Sequence, residues 1–365
     1  MINTIRQESN NIFVTQITNL EDILTLVSTL ENEVTPCSFF SQSNWIKAWL
    51  QSVDKLPDVF VFYLNKKVIG LAPIGTRIFN PLLPLREGFL NQTGLLEDDQ
   101  VWVEHNEIYC IEEYKEQCTN ALLRTFFNNK KNLRLTISML SDSGLWRIPI
   151  KKHSLKYSCK KVLGYKANLE SWCENKKEFN FISNNTRRQL SRSLKTLNNH
   201  SGNITFTFAT RDSANDYFEQ LGKLHVKKWG KTDEGSGFEN PKFISHHLKF
   251  IENNWSHVDL IKVSAGNHLL GFIYNIIQRD TVYFYCSGIN HDVPHKHIKP
   301  GYTIHHQLMM HYKNNGYAWY DFLGGEDQYK KSLSSTSYPF ELLTVYRSER
   351  TFKLSKIIKK FIDFL

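Results

Sequence analysis

Along residues 281–287 apolar and polar positions alternate. Val282, Phe284 and Cys286 fall on one side of an extended chain and Tyr283, Tyr285 and Ser287 on the other, in a stretch rich in β-branched and aromatic residues. A loop rich in His and Lys follows. Pro300-Gly301 then opens a helix whose apolar positions Ile304, Leu308 and Met309 recur at helical spacing, and Asn314-Asn315-Gly316 supplies the left-handed stop. A second strand, Tyr317 to Leu323, ends in Gly324-Gly325. Strand, glycine turn, helix and strand set the first backbone N–H groups of that helix at the mouth of a sheet. There the helix dipole favours an anion, and a phosphate or pyrophosphate is the natural guest.

The same reading extends outward. Residues 11–34 predict a strand and the helix Leu20–Leu30, N-capped by Asn19, and Ser43–Leu50 predicts a short helix with Trp45 and Trp49 on one packing face. Residues 58–78 read as a hairpin turning at Asn65-Lys66-Lys67, and 258–277 repeat the plan around Ala265-Gly266-Asn267. Two copies of strand, polar turn, two aliphatics, glycine and strand point to a duplicated α/β module. Between them the first copy predicts a strand at Val101–Val103, a helix at Tyr114–Phe127, a strand at Leu133–Met139 and strand-rich chain over 145–169. Arg86–Phe89 and Asn91–Gly94 either line a cleft or, as polar residues with glycines more commonly do, form turns.

Residues 184–197 form a helix with an apolar seam, Leu190, Leu194 and Leu197, beside a basic stripe, Arg188, Arg192 and Lys195. The stripe is either a phosphate grip or a solvated face. A strand at Ile204–Ala209 precedes a helix over 213–229, on which His225 and Trp229 face the same way. The loop 233–237 reads as a flexible turn. The last residues, 352–365, predict a basic amphipathic helix with Leu354, Ile357, Ile358, Phe361, Ile362 and Leu365 on one face and Lys353, Lys356, Lys359 and Lys360 opposite or flanking. Most such helices cover their own core; contact with an anionic membrane surface is the second reading.

A length of 365 residues predicts two domains. With 45 basic against 36 acidic residues, a formal charge of +9, the surface attracts anions without choosing among nucleic acid, phospholipid, phosphorylated cofactor and sugar nucleotide. The six cysteines, at 37, 110, 118, 159, 173 and 286, form no CxxC pair, which argues against a zinc ribbon or a disulfide framework. No h-region or spanning segment is seen, so the expectation is a cytoplasmic protein with reduced thiols. Histidines 291, 295, 297, 305, 306 and 311 contain no HExxH, and His305 and His306 point to different helix faces, so no metal is expected.

The run Ile298-Lys299-Pro300-Gly301-Tyr302 ahead of a helix, then Tyr320-Asp321-Phe322-Leu323-Gly324-Gly325, then Tyr329-Lys330, resembles the C-terminal half of the CelD/BcsL-type acetyltransferases. These are tandem members of the GNAT superfamily, related to the FemAB-like peptidyl transferases, and the similarity runs from Trp45 to about Tyr346. The resemblance implies an α/β (α+β) protein of two fused GNAT-like domains, each a mixed, mostly antiparallel sheet flanked by helices. It sets a degenerate copy at 1–170, the acyl-CoA site in 171–350, and the basic helix at 351–365.

The implied activity is N-acyl transfer from acetyl-CoA or another acyl-CoA to an amine, such as an amino sugar or an envelope or exopolysaccharide precursor. Lys299, Pro300, Gly301, Tyr302 and Thr303 would cradle the pyrophosphate, and Arg188, Arg192 and Trp229 would contact substrate. Tyr329 would protonate the thiolate and Lys330 hold an anionic part of the substrate. His225 either takes the amine proton or is a hydrogen-bonded structural histidine. Asp321, costly inside an apolar strand unless partnered, is either a structural acceptor or a base or amine anchor. Two rival readings share the fold: a FemAB-like transferase using aminoacyl-tRNA, and a non-catalytic module that binds a glycan or lipid.

Overall fold

The alternating stretch at 281–287 is strand, within Thr281–Ile289. A computed structural model describes residues 12–80, 83–233 and 235–362. It divides into two compact units, one of residues up to 160 together with those from 341 onward, the other of residues 161–340. The sequence-based division placed its boundaries at 170/171 and 350/351.

The first unit contains β1 (Phe13–Ile17), α1 (Leu20–Leu30), α2 (Ser43–Leu50), β2 (Asp58–Leu64), β3 (Lys67–Asn80) and β4 (Leu83–Leu90). There follow α3 (Leu96–Asp99), β5 (Tyr109–Cys110), α4 (Lys115–Asn128), β6 (Asn132–Leu140) and α5 (Gly144–Lys152). Its sheet runs β1-β2-β3-β4-β6, with β5 on β3. Every pairing is antiparallel except β4 with β6. Asn19 caps α1 as expected, its Oδ1 accepting the Asp22 N–H at 3.0 Å. Trp45 and Trp49 are buried, Trp45 edge-on to Phe39 and Phe40, so the tryptophan face is a packing face.

Three local expectations are corrected here. Arg86–Phe89 lie inside β4 rather than in a turn, because Glu87 and Gly88 meet β6 directly. Val101–Val103 make no strand, with Trp102 at φ +44° breaking any extended run. Residues 144–152 are helical, since Trp146, Pro149 and Ile150 bury one face at i, i+3 and i+4.

The second unit, in chain order, starts within β7 (Lys156–Asn168) and continues through β8 (Trp172–Cys173), β9 (Glu178–Phe179), α6 (Asn184–His200), β10 (Ile204–Phe208) and α7 (Ala214–Trp229). Then come α8 (Pro241–Asn253), β11 (Val258–Ala265), β12 (His268–Gln278), β13 (Thr281–Ile289), α9 (Pro300–Asn314), β14 (Trp319–Gly324) and α10 (Gln328–Leu333). The chain ends with β15 (Thr336–Tyr346), whose residues from 341 on pair with β6, and α11 (Glu349–Ile362). The sheet order is β7-β14-β13-β12-β11-β10, antiparallel apart from β13 with β14.

The internal repeat is therefore architectural. In each unit a hairpin leads to a third strand, a helix crosses over, and a parallel strand returns: β2-β3-β4-α4-β6 and β11-β12-β13-α9-β14. Both hairpins also bulge one residue before the glycine shared by the two copies, at Ile69 before Gly70 and at Leu270 before Gly271.

The second core gathers Ile304, Leu308, Met309 and Tyr312 of α9, Leu190 and Leu197 of α6 and the inner faces of β11–β14. Each fully buried aliphatic there stabilises the unit by roughly 1.5–3 kcal/mol before entropy is counted. Arg188, Arg192 and Lys195 stay exposed on the outer face of α6. Gly288 brings β13 against α7, where an added Cβ would lie 2.3 Å from the Leu221 carbonyl oxygen. Gly288→Ala should therefore push α7 off the sheet and cost about 1–3 kcal/mol in urea unfolding, whereas an unchanged midpoint would show the contact to be slack.

Candidate functional site

Strands β13 and β14 run together only at their starts. The parallel ladder covers Thr281↔Trp319, Val282↔Tyr320 and Tyr283↔Asp321. Beyond it β13 follows β12 and β14 follows β7, so the two strands part. Irregularities on both strands accompany the separation. The β12–β13 register shifts at Tyr274/Asn275, leaving Tyr285 as the extra residue, and β14 bulges between Asp321 and Gly324. Leu323 sits at φ +60°, a left-handed conformation held by Asp321, whose Oδ1 accepts the Leu323 N–H at 2.8 Å and the Tyr338 hydroxyl at 2.7 Å.

The α9 N-terminus opens at the gap. Pro300 has no N–H, and the Thr303 N–H already donates to the Lys299 carbonyl at 3.0 Å. This leaves the Gly301 and Tyr302 N–H groups as the donors of an uncapped helix start. A Cβ on Gly301 would meet nothing within 4 Å, so the backbone there faces open space. Behind that start, the Ser193 hydroxyl lies 2.8 Å from the Thr303 hydroxyl and accepts the Lys299 N–H at 2.8 Å, fixing the first turn of α9 to α6.

A cavity of about 360 Å³ lies against β13 beyond its ladder with β14, with the start of α9, the end of α7 and the first residues of α10 in its wall. Of the residues singled out from sequence, His225, Trp229, Lys299, Pro300, Gly301, Tyr302, Tyr329 and Lys330 line it. Thr303 does not; it is buried, and its hydroxyl is committed to Ser193 and the Lys299 carbonyl. Asp321 does not either; its bonds shape the bulge, which favours the structural alternative of the two left open for it. Arg188 and Arg192 stand outside the cavity wall, although Arg192 adds to the burial and the His295 charge that lower the pKa of His297.

The wall also holds residues that the sequence reading did not assign to the site: Phe284 to Ser287 from β13, Lys228, His291, His305 and Asp327. Helical spacing would have found two of them, since His305 lies one turn after Gly301 and Lys228 three residues after His225. Tyr285 would have been missed by any alternation rule, because a bulge breaks the period.

The two histidines and the Tyr329 phenol here are neutral. His305 stacks on Tyr329 at 5.1 Å, meets Phe284 edge-on at 4.4 Å, and its Nδ1 lies 3.1 Å from the Tyr320 hydroxyl. Burial, reinforced by the Lys330 and Lys228 charges, pushes it down to about 3. His225 Nδ1 lies 2.9 Å from the Ser236 hydroxyl, and burial with Lys228 brings it to about 4. Burial raises the Tyr329 phenol well above its ordinary 10, so it stays protonated. Lys330 donates to the Gly324 carbonyl and anchors the glycine turn. Among the described residues no cluster of His, Cys, Asp or Glu is arranged to hold a metal ion.

Residues 184–331 match the family model for an acetyltransferase (GNAT) domain. Among solved structures, the chain is similar to the C-terminal domain (DUF2156) of a protein described as a lysylphosphatidylglycerol synthetase from Agrobacterium fabrum. The identity is 9%, the TM-score 0.55, and the match covers 93% of this chain and 95% of that one. FemX aligns at 10% identity and TM-score 0.55 over 91% and 97%, and L-PGS from Bacillus licheniformis at 8% and 0.53 over 93% and 95%. No curated protein matches the chain in sequence. At such identities the structural likeness concerns the fold, and it bears out the mixed α/β, GNAT-like architecture expected from the sequence.

The low histidine pKa values carry a stability consequence. Below pH 6.5 the unfolded chain takes up protons that folded His305 and His225 refuse. Their contribution is therefore complete above pH 6.5 and is lost as pH falls towards about 3–4. The urea midpoint should drop over that range, and His305→Phe should flatten the drop; an equal slope in the variant would contradict the assignment.

Proposed function

We propose that the second unit is an N-acyltransferase that takes its acyl group from an acyl-CoA, acetyl-CoA first among them, and delivers it to an amine. The observation that carries this is the gap between β13 and β14 with the bare start of α9 at its mouth. Such a gap receives an extended thioester chain between two strands, while the Gly301 and Tyr302 N–H groups and Lys299 meet its pyrophosphate. Backbone groups of β13 beyond Tyr283, on the edge turned from β12, polarise the thioester carbonyl. The Tyr329 phenol, kept protonated by burial, gives its proton to the departing thiolate.

His225 receives the amine proton. Ser236 engages Nδ1, which leaves Nε2 as the nitrogen for a ligand. An imidazole with a pKa of about 4 is a weak base, so a weakly basic amine, as on an amino sugar, suits it better than an alkyl amine. That preference agrees with the CelD/BcsL-type resemblance and its saccharide acceptors. One observation favours a different donor: burial and His295 lower the His297 pKa and the charges of Arg192, Lys296 and Lys299 add to it, and such a cluster of cations would also serve an aminoacyl-tRNA.

Isothermal titration with acetyl-CoA should give micromolar binding that Gly301→Trp abolishes, its indole filling the open space at the helix start. Tyr329→Phe should keep the affinity and lower turnover of an amino-sugar acceptor by ~10²–10⁴-fold. No heat with acetyl-CoA or longer acyl-CoAs, together with salt-sensitive binding of charged tRNA, would replace the donor. Binding of glycan alone would remove the catalytic reading.

A further inference from the structure

Several large apolar side chains of the first unit lie open to solvent, among them Leu96, Ile78 and Leu354, at 83%, 58% and 53% exposed. Ile78 and Leu354 line two hollows that share Arg86, and Leu96 follows Leu95 of the first of them in sequence. Ile78, near the end of β3, and Leu95, just ahead of α3, line a shallow hollow with Lys55 and Arg86. Arg86 also lines the next hollow, with Arg134 and Leu354 of α11. Arg86 therefore links the apolar tip around Ile78 and Leu95 to the first turns of α11. The six residues that follow Ile78 in sequence, Phe79 to Pro84, include a single polar one, Asn80.

The charge interleaved with these side chains is mainly positive. The buried Glu87 carboxylate is shared by Arg77 at 3.1 Å and Arg134 at 2.6 Å, which leaves one cation in excess. The Arg86 N–H donates to the Lys131 carbonyl at 2.7 Å, which brings that exposed lysine alongside. Lys353 is exposed on α11, and the helix runs to Ile362 through a sequence carrying Lys356, Lys359 and Lys360. Acidic groups are fewer: Glu97 is exposed beside Leu96, Asp58 lines the first hollow, and Glu349 pairs with Lys156 and Lys353.

We propose that this face docks the protein on an anionic lipid bilayer. Ile78, Leu95, Leu96 and Leu354 enter the boundary between headgroups and acyl chains, and Arg86, Lys131 and Lys353 meet the lipid phosphates. A protein partner would call for an apolar centre depleted of charge. Apolar side chains set singly among cations fit the headgroup boundary instead, where each contributes alongside a lipid phosphate. The attachment is peripheral, since no helix among the described residues is long and apolar enough to cross a membrane. This inference stands independently of the acyl donor.

The test is co-sedimentation of the full chain with large unilamellar vesicles of phosphatidylcholine alone or mixed with phosphatidylglycerol. Binding should appear on the mixed vesicles only and weaken as salt is raised. Arg86→Glu with Lys353→Glu should reduce it by about tenfold or more. Leu96→Ser with Leu354→Ser should reduce it with little change in melting temperature, since the two side chains are 83% and 53% exposed. No pelleting with anionic vesicles, equal pelleting with both compositions, or variants that bind like the parent chain would overturn the proposal. A dimer in sedimentation velocity that the leucine variants abolish would overturn it in favour of a second copy of this chain.

Discussion

The second unit depends on one backbone constraint, the left-handed residue at Leu323. A leucine there costs on the order of 1–3 kcal/mol, and the conformation persists because Asp321 accepts the Leu323 N–H two residues along the same strand. Burial pushes the Asp321 carboxyl up to about 6, so near neutral pH it is mainly the ionised acceptor, held by Tyr338 and Leu323 with Lys166 and Lys330 nearby. With β14 turned at this point, β13 loses its neighbour after Tyr283. A sheet that would otherwise close on itself keeps a gap, and α9 begins at that gap.

Desolvation then sets the chemistry around the gap. Aromatic rings pack His305 on several sides and deny it a proton, while the same lack of water keeps Tyr329 protonated. The wall thus offers neutral donors and acceptors, with positive charge from Lys228, Lys299 and Lys330. A negatively charged thioester donor and a weakly basic amine suit such a wall.

Much of this was legible in the chain. Pro300-Gly301 and Asn314-Asn315-Gly316 bound α9 as read, and the two hairpins repeat as read, because turn and cap residues act locally. The cradle residues Lys299 to Tyr302 and the pair Tyr329 and Lys330 reach the same cavity. What failed was non-local. Thr303 looked like a free hydroxyl until α6 brought Ser193 to it, and Asp321 gave no sign of the Tyr338 partner that joins it to the bulge. The strand-rich reading of 145–169 missed the helix at its start because a short apolar run carries no length signal, and a β-bulge put Tyr285 where alternation could not.

The central claim is that acyl-CoA lies in the gap between β13 and β14 with its pyrophosphate on the start of α9. Amide hydrogen exchange with and without CoA tests it most directly. The account requires slower exchange at Gly301 and Tyr302 and along 284–289, with the β10–β11 ladder unchanged. Protection confined to other segments, or none at saturating CoA, would contradict it.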